Sequence, residues 1–145
     1  MTNEAMGDSP AMVPAGFSDL NWTQGFGRQI GPLYKKLNGD GTYVQAFRVQ
    51  AHHANGMKNC HGGMLMAFAD MAFGYAVTLA HHPYWVTVRL VTDFLAPAHM
   101  GDWVEGTAEI TGGDEGLIAV RGRIWSGERV LMTGTGLFKV LAERP

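Results

Sequence analysis

The sequence predicts an α+β fold in which an antiparallel sheet of about five to six strands curls around one long central helix. Three observations predict it. Residues 62–80 form an almost wholly apolar run whose one charge is Asp70. Four strand candidates follow that run, separated by turn-rich segments. No other helix is available to bury the apolar one, so the sheet must cover it.

Taken in order, residues 1–15 are polar, rich in Gly and Pro, and read as a loose tail. Phe17, Leu20, Trp22 and Phe26 then give a short, roughly helical apolar face before Gly31-Pro32. Residues 33–37 are the first strand candidate. Asn38-Gly39-Asp40-Gly41 signals a turn, and the alternating stretch 42–52, with Tyr43, Phe47, Val49 and Ala51 on one face, completes a hairpin. Residues 53–60 are a loop containing Asn55-Gly56. The helix ends near His81-His82-Pro83, where imidazolium charge suits the negative end of the helix dipole. Strands are expected over 84–95, 102–111, 116–125 and 129–141. Val104, Ala108 and Ile110 alternate with Glu105, Thr107 and Glu109, and Ile118, Val120 and Ile124 alternate with Arg121 and Arg123. One wet face and one dry face make an antiparallel sheet. The chain divides into an N-terminal tail with a short helical segment over 1–30 and one domain over 31–145.

Composition narrows the function. The 145 residues are 46% hydrophobic and 17% charged, enough apolar material for a core and low in charge for a monomer's surface, so some apolar surface is expected at a subunit interface. A net charge of -2 without a basic cluster argues against nucleic-acid binding. The single cysteine, Cys60, cannot form an intramolecular disulfide and fits a reducing, cytoplasmic setting. The N-terminus lacks a basic start followed by an apolar run and does not read as a secretory signal. Asp70 near the middle of the apolar helix argues against a membrane span.

The same helix carries the candidate chemistry. A carboxylate in an apolar helix is costly to bury unless something pairs with it or uses it. Gly62 and Gly63 suit a backbone that must approach a ligand closely. The first N–H groups of a helix lack helical partners, and the dipole there favours negative charge. No metal is expected. His52-His53 and His81-His82 are adjacent pairs that should point apart, and no His-x-x-x-His or Cys-x-x-Cys spacing is present. Cys60 beside His61 reads as a small buried residue rather than a thiol nucleophile. Arg121, Arg123 and Lys139 read as a solvated sheet face.

The segment Asn55-Gly56-Met57-Lys58-Asn59-Cys60-His61-Gly62-Gly63, with Asp70 nine residues after the His, resembles the motif of hotdog acyl-CoA thioesterases of the phenylacetate-pathway type. Val86-Thr87-Val88-Arg89-Leu90, ending in Phe94-Leu95-Ala96-Pro97-Ala98, resembles the third strand of that family, with Thr87 at the position of a Ser or Thr that helps hold water. The resemblance covers residues 33–141. Lys58 departs from it, standing where the family often has Gly three residues before the His.

The resemblance implies a hotdog fold and hydrolysis of an acyl-CoA to a free acid and coenzyme A. No separate cofactor is implied, because coenzyme A enters as part of the substrate. Gly62 N–H, with Gly63, would form the oxyanion hole. Asp70 would act as general base, or as nucleophile through a mixed anhydride. Thr87 would hold the water, Asn55 would orient the thioester or the water, and His61 would hold the loop or the carbonyl. Gly63, Met64, Phe68 and Met71 would line the acyl site, and one or two of the sheet-face cations would meet the coenzyme A phosphates. The acyl group stays open between aryl-acetyl or aromatic and medium-chain fatty acyl. At about 1.5 Å rise per residue, His61 and Asp70 lie roughly 13 Å apart along one helix and about half a turn out of phase. One thioester carbon cannot touch both ends, so a homodimer, or a dimer of dimers, is expected, with Gly62 from one chain and Asp70 from the other. Two alternatives are a hotdog enoyl-thioester hydratase or dehydratase, whose His-Phe-Pro-Gly pattern is not seen here, and a non-catalytic acyl-CoA-binding module.

Overall fold

The computed structural model describes residues 12–142; residues 1–11 of the expected tail lie outside them. Along the chain run β1 (Ser18–Asp19), α1 (Gly25–Ile30), β2 (Tyr34–Leu37), β3 (Tyr43–Arg48), a 3-10 turn (Ala51–His53), α2 (Gly62–Ala80), β4 (Trp85–Phe94), β5 (Trp103–Asp114), β6 (Leu117–Ser126) and β7 (Arg129–Val140). The strands form one antiparallel sheet in the order β1-β2-β3-β5-β6-β7-β4, and α2 packs across one face of it.

The expected helix-and-sheet architecture is present, with differences of detail. The sheet has seven strands rather than five to six. The addition is β1, which pairs with Tyr34 and Lys35 in a stretch expected to be helical. The helix forms only from Gly25, and Trp22 folds back over Gly27, where an added Cβ would lie 1.3 Å from its ring. β5 runs through Gly112-Gly113-Asp114, expected as a turn, because a bulge between Ile110 and Gly112 lets pairing with β6 continue. The reversal falls instead at Glu115 (φ 50°) and Gly116 (φ 80°), the left-handed pair of a tight hairpin turn. The sheet is not strongly curled, and α2 keeps a half-exposed flank that includes Met66, Met71 and Tyr75.

The helix meets the sheet through aromatic rings set against small residues. Phe73 lies over Gly122 and Gly134, where an added Cβ would approach its ring to 2.4 Å and 3.2 Å. Phe68 sits against Gly106 and edge-on to Phe47, with ring centroids 4.8 Å apart. The Tyr43 hydroxyl donates to Ala72 O at 2.5 Å, tying β3 to mid-helix. Although α2 is long and apolar enough to cross a membrane by composition, it is the core helix of this fold.

A second contact row faces β4. Gly62 meets Phe94, Met66 meets Thr92, Asp70 meets Thr87, Gly74 meets Trp85, and Thr78 accepts from Trp85 Nε1–H at 2.9 Å. These α2 positions are spaced four apart and form one ridge along the helix. A bulge between Thr87 and Arg89 shifts the alternation of β4, so Trp85 and Thr87 on one side of it, and Thr92 and Phe94 on the other, all turn toward α2.

The loop into α2 is closed by Asn55. Its Oδ1 accepts from Met57 N–H (2.9 Å) and Asn59 N–H (3.2 Å), and its own N–H donates to Asn59 O (2.8 Å). The loop turns at Lys58, whose φ of 62° lies in the region that favours glycine.

Two stability predictions follow from these contacts. Gly122→Ala should cost about 1–3 kcal/mol in urea unfolding, because the methyl group must displace Phe73, while Gly112→Ala, with open space around its Cβ, should leave the midpoint almost unchanged. Lys58→Gly should stabilise by about 0.5–1 kcal/mol, relief of the left-handed strain exceeding the added freedom of the unfolded chain, and should raise the melting temperature.

Candidate active site

The start of α2 spends nearly all its backbone donors within the chain. Met64 and Leu65 N–H both donate to His61 O (2.9 and 3.2 Å), and Gly63 N–H donates to His61 Nδ1 at 2.8 Å. His61 is therefore the N-cap, with its ring Nδ1 as the acceptor. Gly62 N–H alone in this first turn has no partner among the described residues. It sits beside the Phe94 ring, which an added Cβ at Gly62 would meet at an ordinary 3.5 Å.

This geometry separates the two glycines. Gly63 was expected to supply a second oxyanion donor, but its N–H is already taken by His61. A side chain there would meet His61 Nδ1 at 2.9 Å, so Gly63 makes room for the cap. Conversely, Gly62 leaves one amide open at the positive end of a 19-residue helix.

Two turns along, Asp70 is half-buried and its Oδ1 accepts from the Thr87 hydroxyl at 2.5 Å. Its Oδ2 has no partner among the described residues. Thr87 spends its single proton on the carboxylate, so toward a water it can only accept. Its position orients the acid as well as any water beside it. Phe68 and Phe73 turn away into the core and do not surround the carboxylate.

The remaining expected residues divide by burial. Met71 is half-exposed on the open flank of α2. Met64 and Phe68, expected against the acyl group, are instead core residues at 7% and 0% exposure, because their helical phase points them at the sheet. Asn55 lies in the loop leading to Gly62, both of its Oδ1 bonds are internal to that loop, and its Nδ2 has no partner among the described residues. Burial pushes the Cys60 thiol up to about 12, so the residue is a buried neutral thiol.

His52 and His53 do not point apart. The 3-10 turn brings their rings to 3.9 Å, and each bonds a main-chain carbonyl at the end of α1. Arg121 pairs with Glu109, Arg123 lies 4.4 Å from the centroid of Trp125, and Lys139 donates to Glu115 O at 3.1 Å. A groove of about 780 Å³ on the outer sheet face is lined by Arg121, Arg123 and Trp125, and a cavity of about 390 Å³ lies between α1 and the Asp19–Thr23 segment. Neither contains Gly62 or Asp70, which lie on an open face along β4.

Eight residues separate Gly62 from Asp70, about 12 Å along one helix. Within one chain the open donor and the free carboxylate oxygen do not converge. Sequence reasoning missed Phe94 as the neighbour of Gly62; its place within the Phe94-Leu95-Ala96-Pro97 motif was visible, its facing was not.

Comparison with known proteins identifies the family. The sequence pattern of the thioesterase superfamily matches residues 57–133. A Pseudomonas aeruginosa protein named "Putative esterase PA0474" is 31% identical over 128 residues, covering 87% of this chain and 96% of its own length. The acyl-coenzyme A thioesterase PaaI of Escherichia coli is 37% identical over 71 residues, 49% of this chain and 50% of PaaI. The solved structure of the E. coli PaaI protein, which comes from the phenylacetic acid degradation operon, superposes with a TM-score of 0.64 at 26% identity, covering 70% of this chain and 73% of that one. The BH2602 protein of Bacillus halodurans, crystallised with CoA, superposes with a TM-score of 0.68 at 25% identity, covering 76% of this chain and 74% of that one. With its hotdog fold and its matched core helix and strands, this chain belongs to the thioesterase superfamily.

Proposed function

We propose that this protein is an acyl-CoA thioesterase whose active site is shared between two copies of the chain. The observation that carries the reading is the pairing of one open amide, Gly62 N–H, with one oriented carboxylate, Asp70, on the ridge of α2 that faces β4. The printed descriptions of PaaI and of the CoA-bound relative support the substrate class.

The separation of Gly62 and Asp70 requires a second chain, and β4 is where it would join. β4 is the longer of the sheet's two edge strands and exposes Val86, Val88, Val91 and Phe94. An uncovered apolar edge is a template for pairing with another strand. An antiparallel partner would bring Asp70 of one copy toward Gly62 of the other.

In such a site the thioester carbonyl oxygen accepts from Gly62 N–H, and negative charge developing on it is stabilised by the helix N-terminus. Asp70 of the second copy takes a proton from water, whose oxygen attacks the carbonyl carbon. Collapse of the tetrahedral intermediate breaks the C–S bond and releases coenzyme A, the thiolate taking up the proton, with the free acid as second product. The covalent route, in which Asp70 itself attacks to form an anhydride that water then opens, uses the same atoms.

Thiol release should be followed over a panel of aryl-acetyl, aromatic and medium-chain acyl-CoAs. Asp70→Asn should lower kcat by about 10²–10⁴-fold on the preferred substrate; turnover equal to wild type would sink the assignment of Asp70. Gly62→Pro removes the N–H and sets a ring in its place without breaking the helix, since proline is tolerated at the first helical position and His61 already has extended backbone (φ -61°, ψ 137°). It should lower kcat by about 10²–10³-fold, whereas Gly62→Ala keeps the donor and much of the rate.

A mixing experiment tests the shared site. Equal amounts of Asp70→Asn and Gly62→Pro, unfolded and refolded together, should recover about a quarter of wild-type activity, because half the dimers are mixed and each holds one intact site. No recovery, with mixed dimers demonstrated by mass spectrometry, would refute a two-chain site.

A further inference from the structure

The most densely bonded imidazole in the structure is His53, which no step above uses. It is 2% exposed. Its Nδ1 accepts from Gln50 N–H at 3.0 Å, so its proton is on Nε2, which donates to Ile30 O at 2.5 Å. Its ring packs edge-on against Phe47, with centroids 5.1 Å apart. Its main-chain carbonyl accepts His61 N–H at 2.7 Å. Desolvation by burial holds its pKa below the ordinary imidazole range, consistent with a neutral ring.

The position of these bonds matters more than their number. Ile30 O and Gly31 O lie at the carboxyl end of α1, where carbonyls lack helical donors, and His53 and His52 bond them (2.5 and 2.7 Å). The other end of the connection is His61, the residue that caps α2 and precedes Gly62. His61 is held by its N–H to His53, by its carbonyl to Met64 and Leu65, and by its ring to Gly63. Without the His53 bond, the peptide that carries Gly62 N–H is held on its loop side only through Cys60, whose N–H donates to Ala98 O at 2.8 Å.

We infer that His53 is a positioning residue for thioester hydrolysis. It clamps the cap of α2 to the end of α1 and thereby aims Gly62 N–H at the developing oxyanion. The inference rests on the thioesterase reading. His53 touches no reacting atom and acts through His61. An imidazole suits the task because one neutral ring offers an acceptor to Gln50 and a donor to Ile30 on opposite sides.

His53→Phe keeps the packing on Phe47 and removes both ring bonds. It should lower kcat by about 10–100-fold with KM changed less than about twofold, as expected when a donor is misplaced by a fraction of an ångström. His53→Gln retains a donor toward Ile30 O and should recover most of the loss. In the Gly62→Pro background, which has no donor to aim, His53→Phe should add less than about a twofold further effect. Amide exchange over residues 61–65 should quicken in His53→Phe, by about tenfold or more, with no comparable change in α2 beyond Gly74. Wild-type kcat in folded His53→Phe, or full additivity with Gly62→Pro, overturns the inference. Should His53→Phe fail to fold, His53→Gln against His53→Asn, which keeps the Gln50 bond and loses the link to Ile30, makes the same comparison; equal kcat overturns it. If the wild-type protein cleaves no acyl-CoA, the hydrolytic reading fails by itself. The exchange rates still decide whether His53 holds the donor segment, unchanged rates counting against it.

Discussion

The rotation of α2 about its axis is the constraint on which the rest depends. Phe73 reaches the sheet at Gly122 and Gly134, and Phe68 at Gly106, so the helix comes close at these points and cannot turn without driving rings into backbone. With that face fixed, the ridge from Gly62 through Met66, Asp70 and Gly74 to Thr78 must look toward β4. Asp70 thus emerges beside the edge strand instead of inside the core. The desolvation that a central carboxylate would suffer is avoided by half-exposure and by the Thr87 hydroxyl.

The strand opposite is adapted to the same ridge. A regular β4 would present alternate residues without a break, and a ridge that meets both Thr87 and Thr92 requires a change of parity between them. The bulge before Arg89 supplies it. Where the sheet's inner strands are protected by neighbours on both sides, β4 has only β7. The strand that orients the acid is therefore also a strand open to pairing, which would link the proposed chemistry to the proposed assembly.

Much of this was legible in the sequence. The apolar run bounded by His61 and His81, the turn dipeptides and the alternation of β5 and β6 located α2 and the last four strands to within a few residues, because period and turn chemistry are local properties. What was not legible depends on contacts between distant segments. The pairing of Ser18 and Asp19 with β2 competes with a weak helical pattern and wins through a sheet edge that the pattern cannot register. Continuation of β5 through two glycines depends on β6. Burial of Met64 and Phe68 follows from helix phase relative to the sheet, which the low amphipathicity of an almost uniformly apolar helix conceals. Asp70 could be named as the one charge of the apolar run and Thr87 through the family resemblance, but the bond between them could not.

The His-Gly-Gly segment shows how a capping problem and the requirement of the proposed reaction would be met by the same residues. A helix start must satisfy its free amides or expose them, and exposure is normally a cost. Here the cap residue satisfies three following amides with two acceptors, its ring for Gly63 and its carbonyl for Met64 and Leu65. It leaves Gly62 as the only open amide of the turn among the described residues. A donor that is unsatisfied in the free protein need not break a bond to receive an oxyanion, and a backbone held on both sides loses little freedom in doing so. The glycine at 63 is fixed by the closeness of an imidazole, whereas the one at 62 accepts a Cβ sterically. The first glycine therefore answers to whatever approaches from outside the chain, and the second to the cap within it.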